Sequence, residues 1–147
     1  MLPASIGLLV AIAAMWAATG AGEALLEDSH SHGAFKRWVA EDKHRASEFA
    51  AFERFLAKGG VAEVVPAWQI MRTDADYAAR CSLPAFAMPP RNKWSAIVPA
   101  LRLVRAEVVP VVGRVEVHSA WRSDELNACV RGASRSRHLS FAALDLI

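Results

Sequence analysis

The chain has 147 residues, 54% of them hydrophobic, a formal net charge of +2 and two cysteines. That is one domain's worth of chain. The charge is too weak to imply a nucleic-acid partner, and no Lys/Arg cluster interleaved with aromatics is present. Arginines between 131 and 137 form one local basic patch, which could favour an anionic substrate; a solvated loop is the plainer reading of so short a run.

Residues 1–22 carry no charged side chain, and Ile6 to Ala18 is a continuous apolar run. Small residues (Ala17, Ala18, Thr19, Gly20, Ala21) follow before Glu23. Residues 1–24 therefore read as a secretory signal peptide or an uncleaved membrane anchor, with a buried core helix as the third alternative. No Lys or Arg precedes the apolar run, which departs from the usual signal. Both membrane readings place the remainder outside the cytoplasm, in the periplasm or cell envelope, touching the membrane only through this segment. Residues 25–34, including Glu-Asp-Ser-His-Ser-His-Gly, read as a linker to a domain over 35–147. His30 and His32 could share a metal ion, but in a linker solvated histidines are the expectation.

Ala34 to Lys58 has the clearest helical pattern. Phe35, Trp38, Val39, Phe49, Phe52, Phe55 and Leu56 recur at three- and four-residue steps, and Gly59-Gly60 ends the run. The aromatic stripe reads as a core-facing surface. Val61 to Met71, broken by Pro66, predicts an extended or strand-like piece, and 72–93, with Pro84 and Pro89-Pro90, predicts an irregular excursion. A second helix is expected over Lys93 to Val109, with Ile97, Val98, Leu101, Val104 and Val108 on one side and Pro110 ending it. Val115 to Ser119 alternates like a half-buried strand. Ser123 can cap a short helix whose first turn carries Asp124 and Glu125 and whose exit is Gly132. Ala142 to Ile147 reads as a final strand. Because a chain rarely stops inside a buried strand, the domain is expected to be incomplete at its C-terminus.

Cys81 and Cys129 are an even pair in a chain that reads as exported, which favours a disulfide between them. Two buried free thiols are the alternative.

The chemistry concentrates in residues 119–145. Six residues separate His138 from Asp145, so a loop and the strand returning beneath it can bring imidazole and carboxylate to one metal ion. Spacing alone is a poor signal, and its plain alternative is a surface histidine beside an unrelated carboxylate. The order around the pair is more specific: Ser-Ala-Trp-Arg-Ser, then Leu-Asn, Gly-Ala, Ser-x-His and Ala-Leu-Asp. Over residues 115–147 this resembles the zinc D-alanyl-D-alanine carboxypeptidase and dipeptidase family, whose metal centre is shared with hedgehog signalling domains. Trp121 stands at the aromatic position, Arg131 at that of a first glycine, and Phe141 at that of a small residue, where it is expected to narrow the pocket.

The resemblance implies an α+β fold, helices packed on a small antiparallel sheet. It implies Zn²⁺ held by His138 and Asp145, with Arg122 polarising the scissile carbonyl and Ser136 bonding the substrate or bracing the loop. An ion pair to Asp124 or Glu125 is the structural alternative for Arg122. The family's third ligand and glutamate base should lie beyond Asp145, so the chain reads as a fragment. His118, with the strand parity of Arg122 but about 13 Å back along the strand, and His44, on the charged face of the first helix, are weak substitutes. The expected function is a zinc peptidase acting on peptidoglycan stem peptides; the alternative is a non-catalytic cell-envelope binding module with a degenerate metal site.

Overall fold

A computed structural model describes residues 29–147, so the leader and the first part of the linker lie outside the described residues. The described chain is α+β. Among the described residues, no helix is long and apolar enough to cross a membrane.

The long helix expected from Ala34 to Lys58 is two helices. Helix α1 spans His32–Ala40, N-capped by Ser31, and α2 spans Lys43–Lys58. The break falls at Asp42, whose extended backbone and carboxylate, accepting from the His44 and Arg45 N–H groups, start α2 afresh. An aspartate competes with helix continuation by satisfying the first free N–H groups of a new one. Three- and four-residue apolar spacing continues across such a break and conceals it. The aromatic stripe does face the core: Phe35, Phe52 and Leu56 are buried, and Phe35 packs edge-on against Phe49 and Phe86.

Residues 61–71 form no strand. They run through turns into a 3₁₀ helix, Ala67–Met71, started by Pro66. Proline fixes φ for such a turn and removes a ladder donor, so it argues against a strand there. The excursion over 72–93 holds a helix of its own, α3 (Ala75–Arg80), capped by the Asp74 carboxylate on the Tyr77 N–H. A second 3₁₀ turn, Arg91–Ala96, leads into α4 (Ile97–Leu103). The helix does not stop before Pro110. A π-helical turn, Val104–Val108, is followed by α5 (Val109–Val112), and Gly113 with φ +82 makes the exit. Pro110 has no N–H for the preceding turn, and the widened π turn absorbs that missing bond.

The sheet is small. Strand β1 (Val117–Ser119) pairs antiparallel with β2 (Asp145–Leu146), with Val117 opposite Leu146 and Ser119 opposite Asp145, the register shifting by a bulge-like irregularity between the two pairings. Glu116 and Ile147 extend the ladder with a reciprocal pair of 3.0 Å bonds. The other edge of β1 is closed by side chains. The buried Gln69 Oε1 accepts from Val117 N–H at 3.1 Å, and Arg72 Nη1 donates to Val117 O at 2.8 Å. The core lies between this sheet and the helices, where Phe52, Leu56, Ile97, Leu101, Val117 and Phe141 are fully enclosed.

Helix α6 spans Asp124–Cys129 and begins as expected, with Ser123 accepting from Leu126 N–H at 3.1 Å. Cys129 bonds to Cys81, so the disulfide is present and ties α6 to the end of α3.

Candidate metal centre

His138 and Asp145 converge. Nε2 of the imidazole lies 3.4 Å from Oδ1 of the carboxylate. Each is held by β1 or its exit. His138 Nδ1 is 2.6 Å from the Ala120 carbonyl, and His138 O accepts from the Arg122 N–H at 3.2 Å. A carbonyl can only accept, so this contact places a proton on Nδ1. Nε2 is then the ring nitrogen turned to the Asp145 carboxylate oxygen. Two donors bound tetrahedrally to zinc at about 2.0–2.2 Å are themselves about 3.4 Å apart. The residues present therefore fit a zinc ion as two of its ligands. Asp145 is half-exposed while the His138 ring is largely buried, so the pair opens to solvent on the carboxylate side.

Asp145 is braced by a residue that sequence reasoning did not single out. Ser119, buried and paired opposite, donates its hydroxyl to Oδ2 at 2.5 Å. The loop between α6 and β2 is a series of tight turns. Ser136 N–H donates to Ala133 O, Leu139 N–H to Ser136 O, and Phe141 N–H to His138 O. Half-buried Ser136 thus braces this loop through its backbone. Lys93 Nζ also clasps this loop, donating to Leu139 O at 2.7 Å.

Phe141 does not narrow the pocket. Its φ of +60 turns the ring inward, where it is fully buried with Phe52 6.0 Å away. Arg131 likewise occupies a left-handed position, φ +53, where a glycine would be unstrained.

Arg122 leaves β1 beside this pair. Its guanidinium turns to Asn127, with Nη1 3.5 Å from Oδ1, and to the Tyr77 ring, 5.5 Å away, rather than to Asp124 or Glu125. His118, alternating with Ser119, sits on the opposite side of β1, with Nε2 3.4 Å from Asp74 Oδ2. It is not a third ligand. His44 is exposed at the start of α2. Among the described residues no third His, Cys, Asp or Glu joins the His138–Asp145 pair.

The linker histidines are not freely solvated either. His32 stacks on Trp68 at 4.9 Å, and His30 lies 6.2 Å from the His118 ring and 5.9 Å from that of Phe86. They line different neighbours and form no shared site. A cavity of about 440 Å³ opens beside His30, Arg72, Glu116 and His118, on the face of β1 away from the His138–Asp145 pair.

No family model, no characterised protein and no solved structure matches the chain.

Proposed function

We propose that this chain is a zinc-dependent peptidase of the D-alanyl-D-alanine carboxypeptidase type, with a hedgehog-like metal centre, acting on peptidoglycan stem peptides in the periplasm or cell envelope. The observation that carries the reading is the 3.4 Å approach of His138 Nε2 to Asp145 Oδ1, with Nδ1 committed to the Ala120 carbonyl. A metal-binding histidine normally donates its other ring nitrogen in this way. Zinc bound there would supply a Lewis acid and an acidified water.

The chain's own residues have distinct parts. His138 and Asp145 hold the ion, each oriented by a hydrogen bond from or to β1 and its exit. Arg122 offers N–H donors to a peptide carbonyl as its oxygen gains negative charge, an arrangement in which a pre-oriented guanidinium is most effective. Ser136, on the same loop, would bond a peptide backbone or brace the loop. The exposed Arg131, Arg135 and Arg137 make this end of the molecule attractive to an anionic stem peptide.

The second reading, a non-catalytic envelope module that binds muropeptides, is favoured by the two-ligand count among the described residues. Zinc titration separates the two. The peptidase reading expects one zinc per chain, lost in His138→Ala and weakened in Asp145→Asn, and a zinc-dependent affinity for a peptide ending in D-Ala-D-Ala that falls in Arg122→Ala. Absence of stoichiometric zinc, or zinc binding indifferent to both substitutions, overturns it. Muropeptide binding without zinc would establish the second reading.

A further inference from the structure

Resting on the reading of Arg122 as the group that meets the peptide carbonyl, we propose that Asn127 and Tyr77 are positioning residues that hold the Arg122 guanidinium between them. Asn127 is buried within α6, and its amide nitrogen donates to Gly132 O and to Ala133 O, both at 3.3 Å. Those two bonds use both amide hydrogens and so fix the orientation of the group. Oδ1 is left pointing to Arg122, where Nη1 donates to it at 3.5 Å.

Gly132 is what allows this approach. A Cβ at that position would lie 2.1 Å from Asn127 Oδ1 and 3.1 Å from Arg122 Nη1. The glycine serves close packing here, since the left-handed turn is taken by Arg131. The Tyr77 ring of α3, 5.5 Å from the guanidinium carbon, supplies the second jaw through its π face. The two jaws belong to separate helices, and the Cys81–Cys129 bond joins those helices just beyond Tyr77 and Asn127.

The chemistry of the jaws suits the task. An amide oxygen and an aromatic face orient a guanidinium without neutralising it. A carboxylate in the place of Asn127 would form an ion pair and compete with the developing oxyanion for the same donors. One donor is engaged by Asn127, and the remaining N–H groups stay available to a substrate oxygen.

The experiment is NMR spectroscopy of the arginine side chains in the full chain, reading rotation about the guanidinium C–N bonds of Arg122 without zinc or peptide. Rotation should accelerate about fivefold in Asn127→Ala, the loss of roughly one hydrogen bond's contribution. Tyr77→Leu should accelerate it as well, and Tyr77→Phe, which keeps the ring, should leave it at the wild-type rate. Should Asn127→Ala fail to fold, Tyr77→Leu against Tyr77→Phe decides. Wild-type rotation in Tyr77→Leu and in any folded Asn127→Ala protein overturns the proposal. Because the readout needs neither metal nor peptide, failure of the peptidase reading would appear separately, in the zinc titration.

Discussion

Ser119 and Asp145 face each other across the β1–β2 ladder, and the serine hydroxyl donates to Asp145 Oδ2 at 2.5 Å, leaving Oδ1 turned to His138. The register shift between the Val117 and Ser119 pairings sets Asp145 opposite Ser119, and so decides which carboxylate oxygen is turned to His138.

Removing the hydroxyl tests that arrangement. Ser119→Ala should fold and keep its disulfide, yet bind zinc about tenfold more weakly, because partners of metal ligands typically contribute that much to affinity. Competition against a zinc-binding dye measures the effect. Equal affinity for wild type and Ser119→Ala would mean that the bond does not orient the ligand.

Phe141 combines a left-handed backbone with a fully buried ring. Two substitutions separate these contributions. Phe141→Ala forfeits the ring's packing against Phe52 and should destabilise by about 3–4 kcal/mol. Phe141→Gly forfeits the same packing but relieves the positive φ, which favours glycine over an L-residue by roughly 1 kcal/mol. Glycine should therefore be the less damaging replacement, the reverse of the order in a helix or strand. Denaturant midpoints of the two variants settle it, and alanine the milder of the two would contradict this account of the loop.

Much of this was legible where the signal is local. Ser123 and the acidic first turn marked α6, and the reading of the chain as exported pointed to Cys81–Cys129. The His138–Asp145 convergence follows from a loop returning as a strand. What escaped is of two kinds. Capping aspartates at 42 and 74 divide or create helices, and apolar periodicity registers neither. Contacts between distant segments also have no local signature. Ser119 lies inside the Ser-Ala-Trp-Arg-Ser stretch, but its partner is 26 positions away; Lys93 reaches Leu139 only through the fold. Asn127 stands in the Leu-Asn pair, yet nothing in the sequence places its amide against Arg122. A large residue in a glycine-like position, as at Phe141, reads as an obstruction unless its φ is known.

The Cys81–Cys129 bond closes a loop with a sequence separation of 48 and fastens the partly exposed helices α3 and α6. In the chain-entropy model, closing a loop of that length stabilises by about 4 kcal/mol, and measured values commonly fall at about 2–4. The double variant Cys81→Ser, Cys129→Ser should lose stability in that range by urea denaturation. Added reductant should bring the wild type to the same midpoint. An unchanged midpoint in both experiments would show that the bridge contributes nothing to the fold.

His30 supplies a pH dependence remote from the His138–Asp145 pair. Burial, chiefly, and then the nearby charges of Arg72 and His118 lower its pKa from 6.5 to about 4, against smaller opposing contributions from Asp74 and the Ala85 carbonyl. Its Nε2 is buried without a hydrogen-bond partner. Arg72 Nε meanwhile donates to the His30 carbonyl at 3.1 Å and holds the segment in place. The unfolded chain binds a proton at this ring below about pH 6.5 and the folded chain only below about 4, so the unfolded state gains relative stability as the pH falls between those values. A tenfold difference in proton affinity between the two states corresponds to about 1.4 kcal/mol, and because the ring is partly solvated the expected loss at pH 5 is about 1 kcal/mol. His30→Gln, neutral throughout, should show a flatter fall in stability between pH 7 and pH 5 than the wild type. Parallel pH profiles for the two proteins would mean that the ring is not held neutral in the folded state.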